Sequence, residues 1–405
     1  MFPLQYLRIG LMALLLFMSA MSYHPIFFSD FGPDAGGSGR GALSLYIMAT
    51  TLALLMLTFN LGKIRSCHFI RKVFFLSLWA GFVAILILAI WDSKASLNDL
   101  QSILMGMLLL LIGFCAKLSY RQYALLAIVY IVTSVYTTYA QVTENIGGFI
   151  IADQYFINAK NSIGVLAASA SVASFFIGLS SQVKKKYLKY TFLSLAVFLL
   201  FLLLTIRARA STLSVIAVFG FYYMRRVQLR RSEVIRIVIG GAALLVLLYM
   251  FGMLGSIGSY TVDSFTLNQD ADITSGRTVR NAQALNIFLN EPFFGMLDTD
   301  AKVEWVHNYF LRVLSAYGMV GGFFLLFIYL YILYYIISVV RHVNVREIRY
   351  CGFFVMIIPF ISSLAEPTFP YSPGTAVAFA FLSLGYSLSG LPHSKSKYET
   401  LPNIQ

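Results

Sequence analysis

The feature that most constrains this chain is a series of apolar blocks, each long enough to cross a lipid bilayer. A helix of about 20 apolar residues spans the hydrocarbon core. Only 12% of the 405 residues are charged and 59% are hydrophobic, whereas a soluble domain carries roughly a quarter charged residues. The composition therefore predicts an all-α polytopic membrane protein. A membrane β-barrel would show short segments of alternating hydrophobicity instead.

About twelve such blocks, each long enough or nearly long enough to span, form a single integral membrane domain over residues 1–405. The first block has little basic flank and no clear cleavage site, so we interpret it as a retained helix rather than a signal peptide. Two other segments stand out as polar: a long loop at 255–306 and a flexible tail at 391–405. The blocks lie near residues 7–28, 42–62, 73–92, 98–116, 122–142, 162–181, 190–206, 211–224, 237–254, 309–340, 350–366 and 373–390.

Lysine and arginine are distributed unevenly between alternate loops. If the N-terminus is cytoplasmic, 21 of the 30 basic residues fall in cytoplasmic segments, as the positive-inside rule expects. We therefore predict that both termini are cytoplasmic and that residues 255–306 lie outside. The net charge of +13 is then mainly a topology signal, with some attraction to anionic membrane lipids. It does not predict a nucleic-acid partner.

The remaining basic residues fall on the outer side, against the topological preference, and need another explanation. They are Arg40, Lys94, Lys160, Arg207, Arg209, Arg277, Arg280, Lys302 and Arg312. Arg207 and Arg209 stand in the stretch LLLTIRARASTLSV, at a tight turn between the seventh and eighth blocks. An ionisable residue held at membrane depth usually binds an anion or lines a cavity. The alternative is that these side chains reach out to lipid phosphate.

A second arginine pair, Arg277 and Arg280, lies in the long loop within a segment that predicts a short soluble helix. Thr274 or Ser275 can cap this helix, and the sequence NEPFFG stops it. Its apolar stripe consists of Ala282, Leu285, Ile287, Phe288 and Leu289. Arg277 falls in the first turn, where free backbone N–H groups favour an anion. The alternative is an amphipathic helix that rests on the membrane surface.

His307 and Asn308 open the tenth block, in the stretch HNYFLRVLSAYGMVGG. Taken alone, the two residues are more typical of a helix cap than of an active site. Gly318 and Gly321 are expected on one face of the following helix, where they permit close packing. Arg312 follows His307 on the same helix.

Together, two arginine pairs and one histidine predict a particular chemistry on the outer side. We expect no metal site, and the chain has no P-loop or GxGxxG motif. Guanidinium groups can neutralise a leaving diphosphate, and a neutral histidine can accept a proton from an attacking hydroxyl. Because ATP is absent outside the cytoplasmic membrane, the donor must arrive already activated. A polyprenyl diphosphate-linked sugar meets that requirement.

These motifs resemble the superfamily of O-antigen ligases and Wzy-type O-antigen polymerases of bacterial envelopes. The match is H-N, nine residues, then G-x-x-G, at His307, Asn308, Gly318 and Gly321. It is supported by SGRTVRNAQALNIFLNEPFFG, by RARAS after the seventh block, and by KNSIG, which contains Lys160 and Asn161. The motifs cover roughly residues 155–340.

The resemblance implies a GT-C-like, metal-independent, inverting glycosyltransferase of the bacterial inner membrane, with a periplasmic active site and no cofactor. Its donor would be an undecaprenyl-diphosphate-linked glycan. Arg207 or Arg209, together with Arg277 or Arg280, would hold the diphosphate. His307 would act as general base or orient the acceptor hydroxyl. The supporting residues would be Asn308, Arg312, Lys160 and Asn161.

Three alternatives stay open, and the acceptor distinguishes the first two from each other. A polymerase would transfer the chain to another lipid-linked glycan, with a chain-length regulator as a candidate partner, and a ligase would transfer it to lipid A-core. The segment between Arg277 and His307 is shorter than the elaborated loop of ligases, which favours a polymerase. The third alternative, a transporter of lipid-linked sugar, is disfavoured because the apolar blocks carry few charges.

Overall fold

In a computed structural model of the chain, every regular element among the described residues is helical. The structure describes residues 4–28, 38–91, 94–144, 160–206, 208–226, 277–295, 306–341, 347–365 and 375–391.

Fourteen α-helices are described, together with short 3₁₀ turns at Ile348–Tyr350 and Thr375–Val377. The helices are α1 (Leu4–Met21), α2 (Pro25–Phe28), α3 (Ser38–Thr58), α4 (Leu61–Ser66), α5 (His68–Trp91), α6 (Lys94–Cys115), α7 (Tyr120–Glu144), α8 (Lys160–Leu179), α9 (Lys186–Thr205), α10 (Arg209–Arg226), α11 (Arg277–Asn290), α12 (Tyr309–Val340), α13 (Cys351–Ser362) and α14 (Ala378–Ser389).

Five of these helices are long and apolar enough to cross a membrane: α1, α7, α8, α9 and α12. Shorter apolar helices pack between them, including α13 and α14, whose side chains are almost all buried. In the most apolar 18-residue stretch of α8, 83% of the residues are buried inside the protein, whereas 22% are buried in the corresponding stretch of α9. Hence α8, α13 and α14 form the centre of the bundle, and α1, α9 and α12 expose apolar surface, as expected of helices that face lipid.

The helix ends fall into two groups, and one end of the bundle carries several exposed basic residues. Phe354 near the start of α13 packs against Phe176 near the end of α8 and Tyr222 near the end of α10. The Lys63 ammonium donates to the Phe114 carbonyl at the end of α6 at 2.6 Å, and burial lowers the pKa of this lysine. We call this the basic end; it also contains Arg121, Lys186, Arg226 and Arg349.

The helices coincide with eleven of the twelve predicted apolar blocks, and the block at 237–254 lies outside the described residues. Several boundaries differ from the prediction, among them those of the first and eleventh blocks. The first block was expected to continue to residue 28, but α1 ends at Met21 and a separate short helix begins at Pro25. Proline lacks the N–H that a continuing helix needs but fits a first helical turn. The block at 350–366 contains only the twelve residues of α13 after a 3₁₀ turn.

Candidate functional site

The helix that follows His307 is broken at Gly318. This glycine has φ 60° and ψ −161°, a conformation outside the helical region that residues with a Cβ rarely adopt. We call Tyr309–Tyr317 the short arm and the remaining 319–340 the long arm. The sequence predicted that Gly318 and Gly321 pack within one continuous helix. The structure instead places a reversal of the chain at Gly318.

The two arms fold against each other. The ring of Phe310 lies 4.7 Å from the ring of Tyr329, and the ring of Tyr309 stacks 5.8 Å from it. Nearer the break, Gly322 faces Val313 so closely that a Cβ on the glycine would lie 2.9 Å from a Val313 methyl group. The short arm therefore runs back beside the first part of the long arm, from Gly322 to Tyr329. As a result, the start of the short arm lies next to Tyr329.

The turn after α11 docks into this break. The freed N–H groups of Met319 and Val320 donate to the carbonyls of Pro292 and Phe293 at 2.8 and 3.0 Å. Gly295, with φ 67°, lies so close to the short arm that a Cβ would come within 2.7 Å of the Ser315 carbonyl oxygen. The first residues of a helix leave N–H groups unsatisfied, so the NEPFFG turn serves as a backbone cap for the long arm.

This docking brings the second arginine pair to the histidine. Arg280 Nη1 lies 3.3 Å from His307 Nε2, and both side chains are half-buried. A guanidinium has donors but no acceptor, so this contact is a hydrogen bond only when Nε2 of His307 accepts from Arg280. Arg277 is the first residue of α11, but its side chain lies outside the described parts of the structure.

Asn308, and not His307, caps the helix. The Leu311 N–H donates to Asn308 Oδ1 at 3.1 Å. The Asn308 amide also donates to the Leu364 carbonyl at 3.1 Å, and the Tyr309 N–H donates to the Ser363 carbonyl at 2.9 Å. The start of the short arm is therefore fixed to the end of α13, which leaves the neighbouring His307 side chain available to face α11.

Four residues that the sequence analysis missed support this attachment: Tyr329, Ser214, Ser362 and Ser363. The Tyr329 hydroxyl donates to the Phe360 carbonyl at 3.0 Å and lies 3.1 Å from Ser363 Oγ. Ser214 Oγ lies 3.3 Å from Ser362 Oγ and links α10 to the same end of α13. The only sequence signal was the pair Ser362–Ser363 at the end of an apolar block, which is too weak to predict a role.

The motifs around the first arginine pair also come together. Gly164, in the KNSIG motif of α8, faces Ala208 and Ser211 at the start of α10, where a Cβ would lie 2.6 Å from the Ala208 methyl group. Asn161 is half-buried at the start of α8. Arg207 and the side chains of Lys160 and Arg209 lie outside the described residues, so their distances from His307 stay untested.

Contacts thus connect all the motifs in one chain of neighbours. Helix α8 touches α10, α10 touches the end of α13, α13 holds Asn308, and His307 meets Arg280 of α11. Arg312 is half-buried on the short arm. Its backbone N–H donates to the Asn308 carbonyl at 2.9 Å. Among the described residues, no three His, Cys, Asp or Glu side chains cluster as a metal site would require.

The fold and the site define a multi-span, all-helical membrane protein with a guanidinium–imidazole pair at a helix break. Comparison with protein-family models and with curated proteins finds no match to this chain. The functional argument therefore depends on the residues themselves and on the motif resemblance.

Proposed function

We propose that this protein is a membrane glycosyltransferase that transfers a glycan from a polyprenyl diphosphate to an acceptor hydroxyl. The observation that carries the proposal is the Arg280–His307 pair, in which a permanent cation and an imidazole nitrogen meet at 3.3 Å. Glycosyl transfer from a diphosphate needs both groups: one to stabilise the leaving anion, the other to take the acceptor proton.

The reaction can be written with these residues. The acceptor oxygen attacks the anomeric carbon, its proton passes to His307 Nε2, and the bond from carbon to the diphosphate oxygen breaks. The polyprenyl diphosphate leaves with the negative charge, and attack from the opposite face inverts the configuration. Arg280 occupies Nε2 before the donor binds. We propose that it turns to the diphosphate when the donor is present and so frees the lone pair for the acceptor proton.

Arg207, Arg209 and Arg277 complete the proposed diphosphate site, with Lys160, Asn161, Asn308 and Arg312 in supporting positions. Asn308 has a described role, because it caps the short arm and fixes the backbone beside His307. The proposal keeps the undecaprenyl-diphosphate-linked glycan as donor, the inner membrane as location and the periplasmic side as the face of reaction. It also keeps about twelve spans in a GT-C-like arrangement, of which five described helices are long and apolar enough to cross a membrane.

Polymerisation of O-antigen or a related surface polysaccharide is the favoured reaction, and ligation to lipid A-core is the second candidate. A deletion strain separates them by the gel pattern of its lipopolysaccharide. Loss of a polymerase leaves single repeat units on the core, whereas loss of a ligase leaves bare core and lipid-linked chains. An unchanged pattern would contradict both candidates.

Complementation of that strain tests the site. We expect His307→Ala to lower transfer by about 10²–10⁴-fold, the usual contribution of a general base. Arg280→Ala should lower transfer by about 10²–10³-fold, the usual effect of losing one anion-stabilising group. Arg121→Ala is the matched control, since this arginine is exposed at the basic end. Full transfer by the His307 and Arg280 variants, at equal membrane abundance, would refute the assignment.

A further inference from the structure

The depth of the Arg280–His307 pair can be measured along the helices that hold it. Tyr329, which packs on Tyr309, lies eleven residues before the end of α12 at Val340. At 1.5 Å per residue this is about 16 Å. Ser362, at the end of the twelve-residue α13, lies about 18 Å from the start of that helix. Both distances are about half of a hydrocarbon core of ~30 Å.

Helix α10 gives the same distance between the basic end and the level of Ser362. Ser214 of α10 faces Ser362, and twelve residues separate it from Arg226 at the basic end. That separation is again about 18 Å. The start of the short arm and the histidine beside it therefore lie near the middle of the membrane, and not at its surface.

Helix α11 rises from this level through one half of the bilayer. Its Arg280 meets His307, whereas Phe293, just after its end, bonds to Val320 beside the break. Gly318 lies 22 residues from Val340, about 33 Å along the long arm and hence close to the opposite membrane surface. Helix α11 extends from the level of His307 to the level of Gly318. It therefore lies in the half of the membrane that is farther from the basic end.

The side chains of α11 form three strips that suit this position. Arg280, Ala284 and Ile287, at spacings of four and three, face the protein and are half-buried or buried. Leu285 and Leu289 form an exposed apolar strip, with 45% and 63% of their surface accessible. The exposed residues Gln283, Asn286 and Asn290 form a mainly polar strip on another face, which begins at exposed Val279, because residues three and four apart share a face of a helix.

The apolar strip continues the lipid-facing surface of the long arm. Phe293 and Phe294 are 66% and 50% exposed and lie beside Met319 and Val320, which are also about half exposed. Exposed Phe323 and Phe327 extend this surface along the spanning helix. A span of this length must present such residues to lipid tails, so the adjoining strip of α11 has the same partner.

We propose that α11 is a re-entrant helix, whose Leu285–Leu289 strip contacts lipid hydrocarbon while its Gln283–Asn290 strip faces a water-filled cleft. Amide side chains are costly in hydrocarbon unless they face protein or water. The helix therefore separates the bilayer from an aqueous cleft that reaches down to Arg280 and His307. This inference uses only packing and exposure and does not depend on the proposed transfer reaction.

Spin labelling tests the two strips separately. Single cysteines at Leu285, Leu289, Gln283 and Asn290 would carry nitroxide labels in vesicles of phosphatidylethanolamine and phosphatidylglycerol. Collision with oxygen reports lipid, and collision with a water-soluble nickel chelate reports water. Native Cys67, Cys115 and Cys351 are at most 8% exposed, so the labelled unsubstituted chain serves as background. Phe327→Cys is the lipid reference and Ser66→Cys, exposed at the basic end, is the aqueous reference.

We expect labels at Leu285 and Leu289 to match Phe327→Cys, with Leu285 deeper than Leu289, and labels at Gln283 and Asn290 to match Ser66→Cys. Nickel access at all four positions would show that α11 lies in water, and would overturn the proposal. Oxygen access without nickel access at all four would overturn the aqueous cleft. All four positions are exposed, so the variants should fold, and a single symmetric elution peak in detergent checks this.

Discussion

At the scale of single residues, the structure divides the work of the His-Asn pair between its two members. Asn308 caps the short arm and bonds to the end of α13, whereas His307 faces Arg280. The sequence could predict that one of the two residues caps a helix, since asparagine is a preferred cap. It could not predict the partner of His307, because Arg280 reaches it only through the docking of α11.

Substitutions at Asn308 separate its two hydrogen bonds. We expect Asn308→Ala to lower the free energy of unfolding by about 1 kcal/mol or somewhat more, since a lost cap alone typically costs that amount. Asn308→Ser keeps a cap acceptor and loses only the donor to Leu364, so it should lose less. Thermal unfolding in detergent measures both. Equal melting temperatures for the unsubstituted protein and Asn308→Ala would contradict the capping role.

At the scale of elements, the pairing of α11 with the broken α12 builds the candidate site. The sequence correctly predicted a short helix in the long loop, its first turn at Arg277 and its stop before Pro292. The predicted caps Thr274 and Ser275 lie outside the described residues. The predicted stripe is divided between faces, since Ile287 is half-buried against the protein and Leu285 and Leu289 are exposed. Hydrophobic periodicity identifies the apolar residues of a helix. It does not show whether those residues contact lipid or protein.

The break at Gly318 can be tested with a matched pair of glycine substitutions. In Gly318→Ala, a Cβ would collide with the Phe293 backbone, and the φ of 60° is strained for alanine. We expect the variant to lose transfer and to unfold at lower temperature, because α11 can no longer dock.

Gly220→Ala is the control for that change. This glycine lies in α10 with no atom within 4 Å of an added Cβ, so alanine should leave stability unchanged or raise it by about 0.5–1 kcal/mol. If both variants melt like the unsubstituted protein, the break at Gly318 does not hold α11.

At the scale of the whole molecule, the bundle sorts its helix ends by charge. The ends of α8 and α10 meet the start of α13 at the basic end, and the end of α6 contacts Lys63 and Gly385 of α14. At the other end, the Gln141 amide donates to the Tyr23 carbonyl at 2.7 Å and joins the ends of α1 and α7. The topology that the loop-by-loop charge count predicted, including the side of the membrane on which each end lies, stays a prediction.

Reporter fusions determine that side. We expect a fluorescent protein fused after Ser66 or Lys185 to fluoresce, and alkaline phosphatase fused after Glu144 to be active, because basic loops are retained in the cytoplasm. Each position also receives the other reporter as its control. The inverse pattern would place His307 in the cytoplasmic half and remove the argument for a pre-activated donor.

The sequence by itself determined the class of fold, the position of most helices and the identity of the residues worth testing. Apolar block length and charge asymmetry act locally or sum over loops, so they can be read without coordinates. Only the tertiary structure decided that α12 reverses at Gly318 and that Arg280 meets His307. These features depend on contacts between segments distant in sequence. Hydrophobic periodicity alone carries no information about which face of a helix meets which neighbour.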